Sequence, residues 1–122
     1  TGKYAPGAAP LPESRLARND KRILETEYRK ESLEIAQKLS LRCQEKGTQL
    51  SHFALAWVLA NHAVTSVIGG PRTLAQWQNY WGALDVTITQ EDEDFVNQLV
   101  SPGHPSTPGY NDPSYPLSAR RD

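Results

Sequence analysis

The segment Val64–Ile68, "VTSVI", is the only convincing β-strand pattern in a chain whose other patterned segments all read as helices. It is β-branched, and Gly69-Gly70-Pro71 bounds it. A single buried strand leaves its backbone donors and acceptors without ladder partners, which is costly. The strand therefore needs partners that this sequence does not contain. A helix–helix–strand–helix order fits the end of a repeating β/α protein better than a self-contained bundle. The absence of methionine points the same way, as does an opening in mid-loop on "TGKY". The expectation is a piece of a longer protein, mostly helical with one clear strand.

The flanking segments read as follows. Residues 1–20 are rich in Pro, Gly and Ala without apolar periodicity, and read as a loop. From Lys21 to Lys46, Leu24, Tyr28, Ile35, Leu39 and Cys43 fall on one stripe, which predicts one long amphipathic helix stopped by Gly47. Thr48 is placed to cap the next helix, whose face is Leu50, Phe53, Ala54, Trp57 and Val58. Thr73 caps a third helix carrying Leu74, Trp77, Trp81 and Leu84. Thr89 caps a fourth, with Asp92 at the reciprocal capping-box position. Ser101–Asp122 holds five prolines and no apolar run, so it is ordered only by lying on something else.

Bulk properties narrow the function classes. A formal net charge of −1 argues against a nucleic-acid surface or a polybasic membrane surface. Phe53–Ala60, the longest apolar stretch, is too short to span a bilayer, and no signal-peptide pattern is present. The single cysteine, Cys43, excludes an internal disulfide framework and points to the cytoplasm. It reads as a small, half-buried helix residue. No Cys or His lies near it at metal-ligand spacing, so no metal site is expected.

The chemistry concentrates at "VIGGPRT", Val67–Thr73. Gly69 and Gly70 permit positive φ or the close approach of a ligand. Arg72 brings a planar fork suited to phosphate to the start of a helix, where backbone N–H groups are unpaired. A double glycine after a strand also serves as a plain tight turn, and these residues alone leave both readings open. They match neither the dinucleotide G-x-G-x-x-G fingerprint nor a P-loop.

The surrounding sequence carries a resemblance. "LAWVLANHAVTSVIGGPRTLAQWQNYWGAL", Leu55–Leu84, closely resembles the late part of aldo-keto reductases, with their apolar helix, eighth strand and Gly-x-Arg-Thr-x-x-x-Gln turn into a helix. "TGKY", Thr1–Tyr4, resembles the loop after that family's seventh strand, "ESRLA", Glu13–Ala17, the Ser-Arg that follows it, and Gly103–Asp122 a bacterial C-terminal extension. The implied fold is the C-terminal part of a (β/α)₈ TIM barrel, a fold of roughly 250 residues. Residues 1–20 would be the cofactor-covering loop, 21–100 the last β/α units, and 101–122 the Pro-rich extension. The implied parent reduces aldehydes or ketones with NADPH. Carried over position by position, Gly70 and Arg72 would meet the 2′-phosphate and Gln76 the ribose or adenine. Lys3 and Arg15 would belong to the loop over the pyrophosphate. Tyr80 stands where the family usually has an adenine-binding Asn, and Asn79 one position before it, where Glu or Asp is common. Pro71 replaces a more usual small residue.

The family's catalytic Asp, Tyr, Lys and His belong to earlier strands, so no catalytic residue is assigned, and the segment alone is expected to be inactive. Its partners would be a small carbonyl substrate and the rest of the barrel, or an associated chain, covering the strand. Two other readings stand beside this one: an NADPH-binding regulatory subunit like the potassium-channel β subunits, and a non-catalytic helical interaction module.

Overall fold

A computed structural model describes residues 3–110 and 112. In order, its elements are α1 (Lys21–Thr26), α2 (Lys30–Glu45), α3 (Leu50–Leu59), α4 (Leu74–Tyr80), a 3₁₀ turn (Trp81–Asp85) and α5 (Gln90–Leu99). α3 is the hub and packs on α2, on α4 and on the 3₁₀ turn. Phe53 and Ala56 of α3, Cys43 of α2 and Ala83 of the 3₁₀ turn are buried. Gly82 is what permits the closest approach, because a Cβ there would lie 2.4 Å from Cε1 of His52.

The expected strand does not form. Residues 64–70 connect α3 to α4 without helix or ladder, and no β-strand occurs among the described residues. The reason is the one that made the strand demanding. A β-branched run becomes a strand only against a partner, and without one Ile68 stands free, 99% exposed.

The single helix expected over 21–46 is broken. The Tyr28 N–H reaches back five residues to the Ile23 carbonyl (2.8 Å), which closes α1. Arg29 is extended (φ −115°, ψ 146°) and starts α2 with no side-chain cap. Ile23, off the expected stripe, is buried, whereas Leu24 is 44% exposed.

α2 ends as expected at Gly47 (φ +68°). The Thr48 N–H bonds the Cys43 carbonyl (2.9 Å) and the Gly47 N–H that of Gln44 (3.0 Å), the paired bonds of a Schellman motif. Thr48 is thereby committed to closing α2, so Gln49 and not Thr48 is the N-cap of α3. Cys43 is 1% exposed, fully rather than half buried, and burial pushes its thiol pKa up.

The other caps form where the sequence places them. Thr73 Oγ1 accepts from the Gln76 N–H (3.2 Å), and Thr89 with Asp92 makes a full capping box. Ser101–Tyr110 is irregular; its first residues border a cavity with α3 and α5, and Ser106, Thr107 and Tyr110 reach α1, α2 and the joint between them, with Ser106 Oγ 2.6 Å from Ser32 Oγ. Residues 113–122 of the expected extension, with Thr1, Gly2 and Asn111, lie outside the described residues.

Candidate cofactor-binding surface

The turn after α3 gives its two glycines different roles. Neither has positive φ, a conformation found at Gly7, Gly47, Gly103 and Gly109. A Cβ on Gly69 would sit 2.9 Å from Cε2 of Tyr80, so Gly69 is needed for close approach of that ring. A Cβ on Gly70 would meet nothing within 4 Å, which leaves open space over its backbone.

Arg72 follows with an exposed side chain that has no hydrogen-bond or ion-pair partner among the described residues. Its backbone N–H donates to Gln76 Oε1 (2.7 Å), while the Gln76 N–H goes to Thr73. These two bonds fix the first turn of α4 and turn the Gln76 carboxamide back toward Arg72. Sequence reading did not anticipate this role for Gln76, whose carboxamide takes the N–H of Arg72 and not that of the N-cap Thr73, the bond a capping box would make.

Tyr80 borders an apolar cavity of about 260 Å³ beside this turn, with Leu55, Val67, Trp77 and Trp81. The two tryptophan rings meet edge to face, with centroids 5.6 Å apart. Asn79 is directed to α3 instead. Its Nδ2 donates to Gln49 Oε1 (3.0 Å), and its Oδ1 accepts from Ser51 Oγ (3.1 Å).

Lys3 and Arg15 come together in a second cavity of about 380 Å³ with Tyr4, Glu27, Tyr28 and Ser32. Lys3 Nζ lies 5.0 Å from the centroid of the Tyr4 ring. The Tyr4 hydroxyl is buried and has no hydrogen-bond partner among the described residues. Arg15 is not free. Its Nε and Nη2 each bond the Asp20 carboxylate at 3.2 Å, and its Nη1 lies 3.7 Å from Glu27 Oε1. The bond from Arg15 and the Ile23 N–H hold the Asp20 carboxyl below the usual carboxylate range, and the bond to Asp20 raises the Arg15 pKa.

Asp20 and Glu27 are site residues that sequence reading missed. An Asp just before a helix is a legible N-cap signal. Glu27 was hidden because the helix break that frees it was not expected.

The structure thus divides the expected set in two. Gly70, Arg72, Gln76 and Tyr80 gather at the turn, Lys3 and Arg15 gather at the loop, and the two cavities share no lining residue. Among the described residues no group of three or more His, Cys, Asp or Glu is placed to hold a metal ion. No helix among them is long and apolar enough to cross a membrane.

A curated relative, "Uncharacterized oxidoreductase YrpG" of Bacillus subtilis (strain 168), is 35% identical to this chain over 75 residues. The match covers 61% of this chain and 23% of that relative's length. Residues 1–100 match the model of the aldo/keto reductase family, so the chain belongs to that family.

Proposed function

We propose that this segment is the dinucleotide-binding, C-terminal part of an oxidoreductase that reduces aldehydes or ketones with NADPH. One observation carries the proposal: an exposed Arg72 guanidinium, without a partner among the described residues, beside the open backbone of Gly70 in a chain of this family. A guanidinium presents paired donors that match phosphate, and a glycine backbone admits a close ligand.

The residues present fit a phosphorylated dinucleotide. Arg72 and Gly70 would hold the 2′-phosphate, with Gln76 and Tyr80 along the nucleoside and the indoles of the apolar cavity bordering it. Lys3 and Arg15 would face the pyrophosphate, and the Tyr4 hydroxyl in their cavity, without a hydrogen-bond partner among the described residues, would supply a further donor. Asn79 would act indirectly, by fixing α4 against α3. When bound, the nucleotide would supply hydride for a carbonyl carbon. This segment's residues bind and orient it, and none is assigned a proton transfer. The working compartment is the cytoplasm, and the partners are a small carbonyl compound and the remaining β/α units.

Arg72→Ala tests the assignment. It should weaken NADPH binding by about 1.5–3 kcal/mol, the worth of a charge-assisted contact, and leave NADH binding nearly unchanged. Equal weakening of both, measured by fluorescence titration, would remove the 2′-phosphate from Arg72.

A further inference from the structure

α1 has six residues, too few to persist in water without outside support. It is gripped from two directions. Both of its caps hold Arg15: Asp20, the N-cap, through two bonds of 3.2 Å, and Glu27, the C-cap, at 3.7 Å. The C-terminal segment holds the other side. Asp112 pairs with Arg22, and the Tyr110 hydroxyl donates to the Glu25 carbonyl (3.3 Å).

The same segment seizes the break between α1 and α2. The Arg29 guanidinium lies 3.8 Å from the centroid of the Tyr110 ring, and its Nε donates to Thr107 Oγ1 (2.6 Å). A face contact combined with an in-plane bond fixes the orientation of a guanidinium. Arg29 is also the extended residue at which α2 begins. The sequence pattern across this joint favours unbroken helix, and contacts from 78 or more residues away converge on the break beside its local closing bonds.

We propose that residues 106–110 together with Asp112 form a strap that holds α1 and, through both its caps, keeps Arg15 on the loop cavity, so that the strap governs how long a phosphorylated nucleotide is retained. The second half of this proposal rests on the reading of Arg15 as a pyrophosphate-side cation. The first half does not. A strap that let go would free α1, withdraw Asp20 and Glu27 from Arg15, and leave the loop cation unaligned.

The test compares Tyr110→Ala, Tyr110→Phe and Asp112→Asn in the full chain, by hydrogen exchange at the α1 amides and at Arg15 Nε–H. NADP⁺ dissociation, followed by tryptophan fluorescence, is the second readout. Tyr110→Ala and Asp112→Asn should speed exchange at both places by about tenfold, as expected for local opening, with NADP⁺ leaving several-fold faster. Tyr110→Phe keeps the ring on Arg29 and should change less. Unchanged exchange in Tyr110→Ala and Asp112→Asn would overturn the strap. Faster exchange with unchanged NADP⁺ dissociation would overturn the coupling if Arg15→Ala alone speeds dissociation. If Arg15→Ala leaves dissociation unaltered, the cofactor reading of Arg15 fails by itself, and the claim of control over nucleotide retention falls with it. Exchange still decides whether the strap holds α1.

Discussion

Asp92 is fully buried, and three hydrogen-bond donors converge on its Oδ2. The Lys46 ammonium bonds it, and the Thr89 N–H and hydroxyl each donate at 2.9 Å. Burial alone would raise this carboxyl's pKa, but the bonds from Lys46 and Thr89 outweigh it and hold the pKa below the usual carboxylate range. The folded pKa is thus the lower one, so the stabilisation is complete above the unfolded pKa of about 3.9 and is lost as pH falls through the folded value. Asp92→Asn should lower the melting temperature at pH 7, and the gap from the parent should close toward pH 2 in a thermal series. Cys43 carries a second residue-scale expectation. Its buried thiol, with a raised pKa, should resist disulfide-exchange reagents at pH 7 until the chain unfolds. Local chemistry of this kind was legible in part. The Thr73 and Thr89 caps follow from hydroxyls at fixed offsets, whereas Thr48 went astray because its own N–H was committed to the helix before it.

The helical elements were legible wherever periodicity and a stop residue agreed, as at Gly47. The α1–α2 break was not, because residues 27–29 carry no Pro or Gly, and Thr107 and Tyr110, which contact Arg29 at the break, lie far along the chain. The strand was misread for a related reason, since a ladder belongs to two segments and a sequence displays only one. The contact between α3 and the 3₁₀ turn yields a sharper expectation. Gly82→Ala would drive a Cβ against the His52 ring, built at 2.4 Å, and should destabilise the fold by about 1–3 kcal/mol, the range for overpacking. Urea titration of this variant beside an alanine at an exposed helix position separates the clash from any propensity effect.

Across the whole molecule, large apolar side chains remain uncovered around the turn: Ile68 (99% exposed), Leu74 (70%), Leu84 (68%) and Trp81 (56%). In the family's (β/α)₈ barrel the corresponding strand has neighbours on both sides, and no strand is present among the described residues to supply them. Motif resemblance was enough to single out the turn and the loop as candidate sites. Their division between two separate cavities was not legible, because it depends on how α1, α3 and α4 are set against one another. The 122-residue chain alone should therefore show no carbonyl-dependent NADPH oxidation, and turnover by the pure chain would refute the reading that the catalytic groups lie on other β/α units. The Trp77–Trp81 pair also gives the turn an optical reporter. Edge-to-face indoles 5.6 Å apart couple electronically, and a nucleotide lodged beside them would perturb both their near-ultraviolet dichroism and their emission. Trp57, the third tryptophan, lines a different cavity, so replacing it with Phe would leave a spectrum that reports on the turn alone.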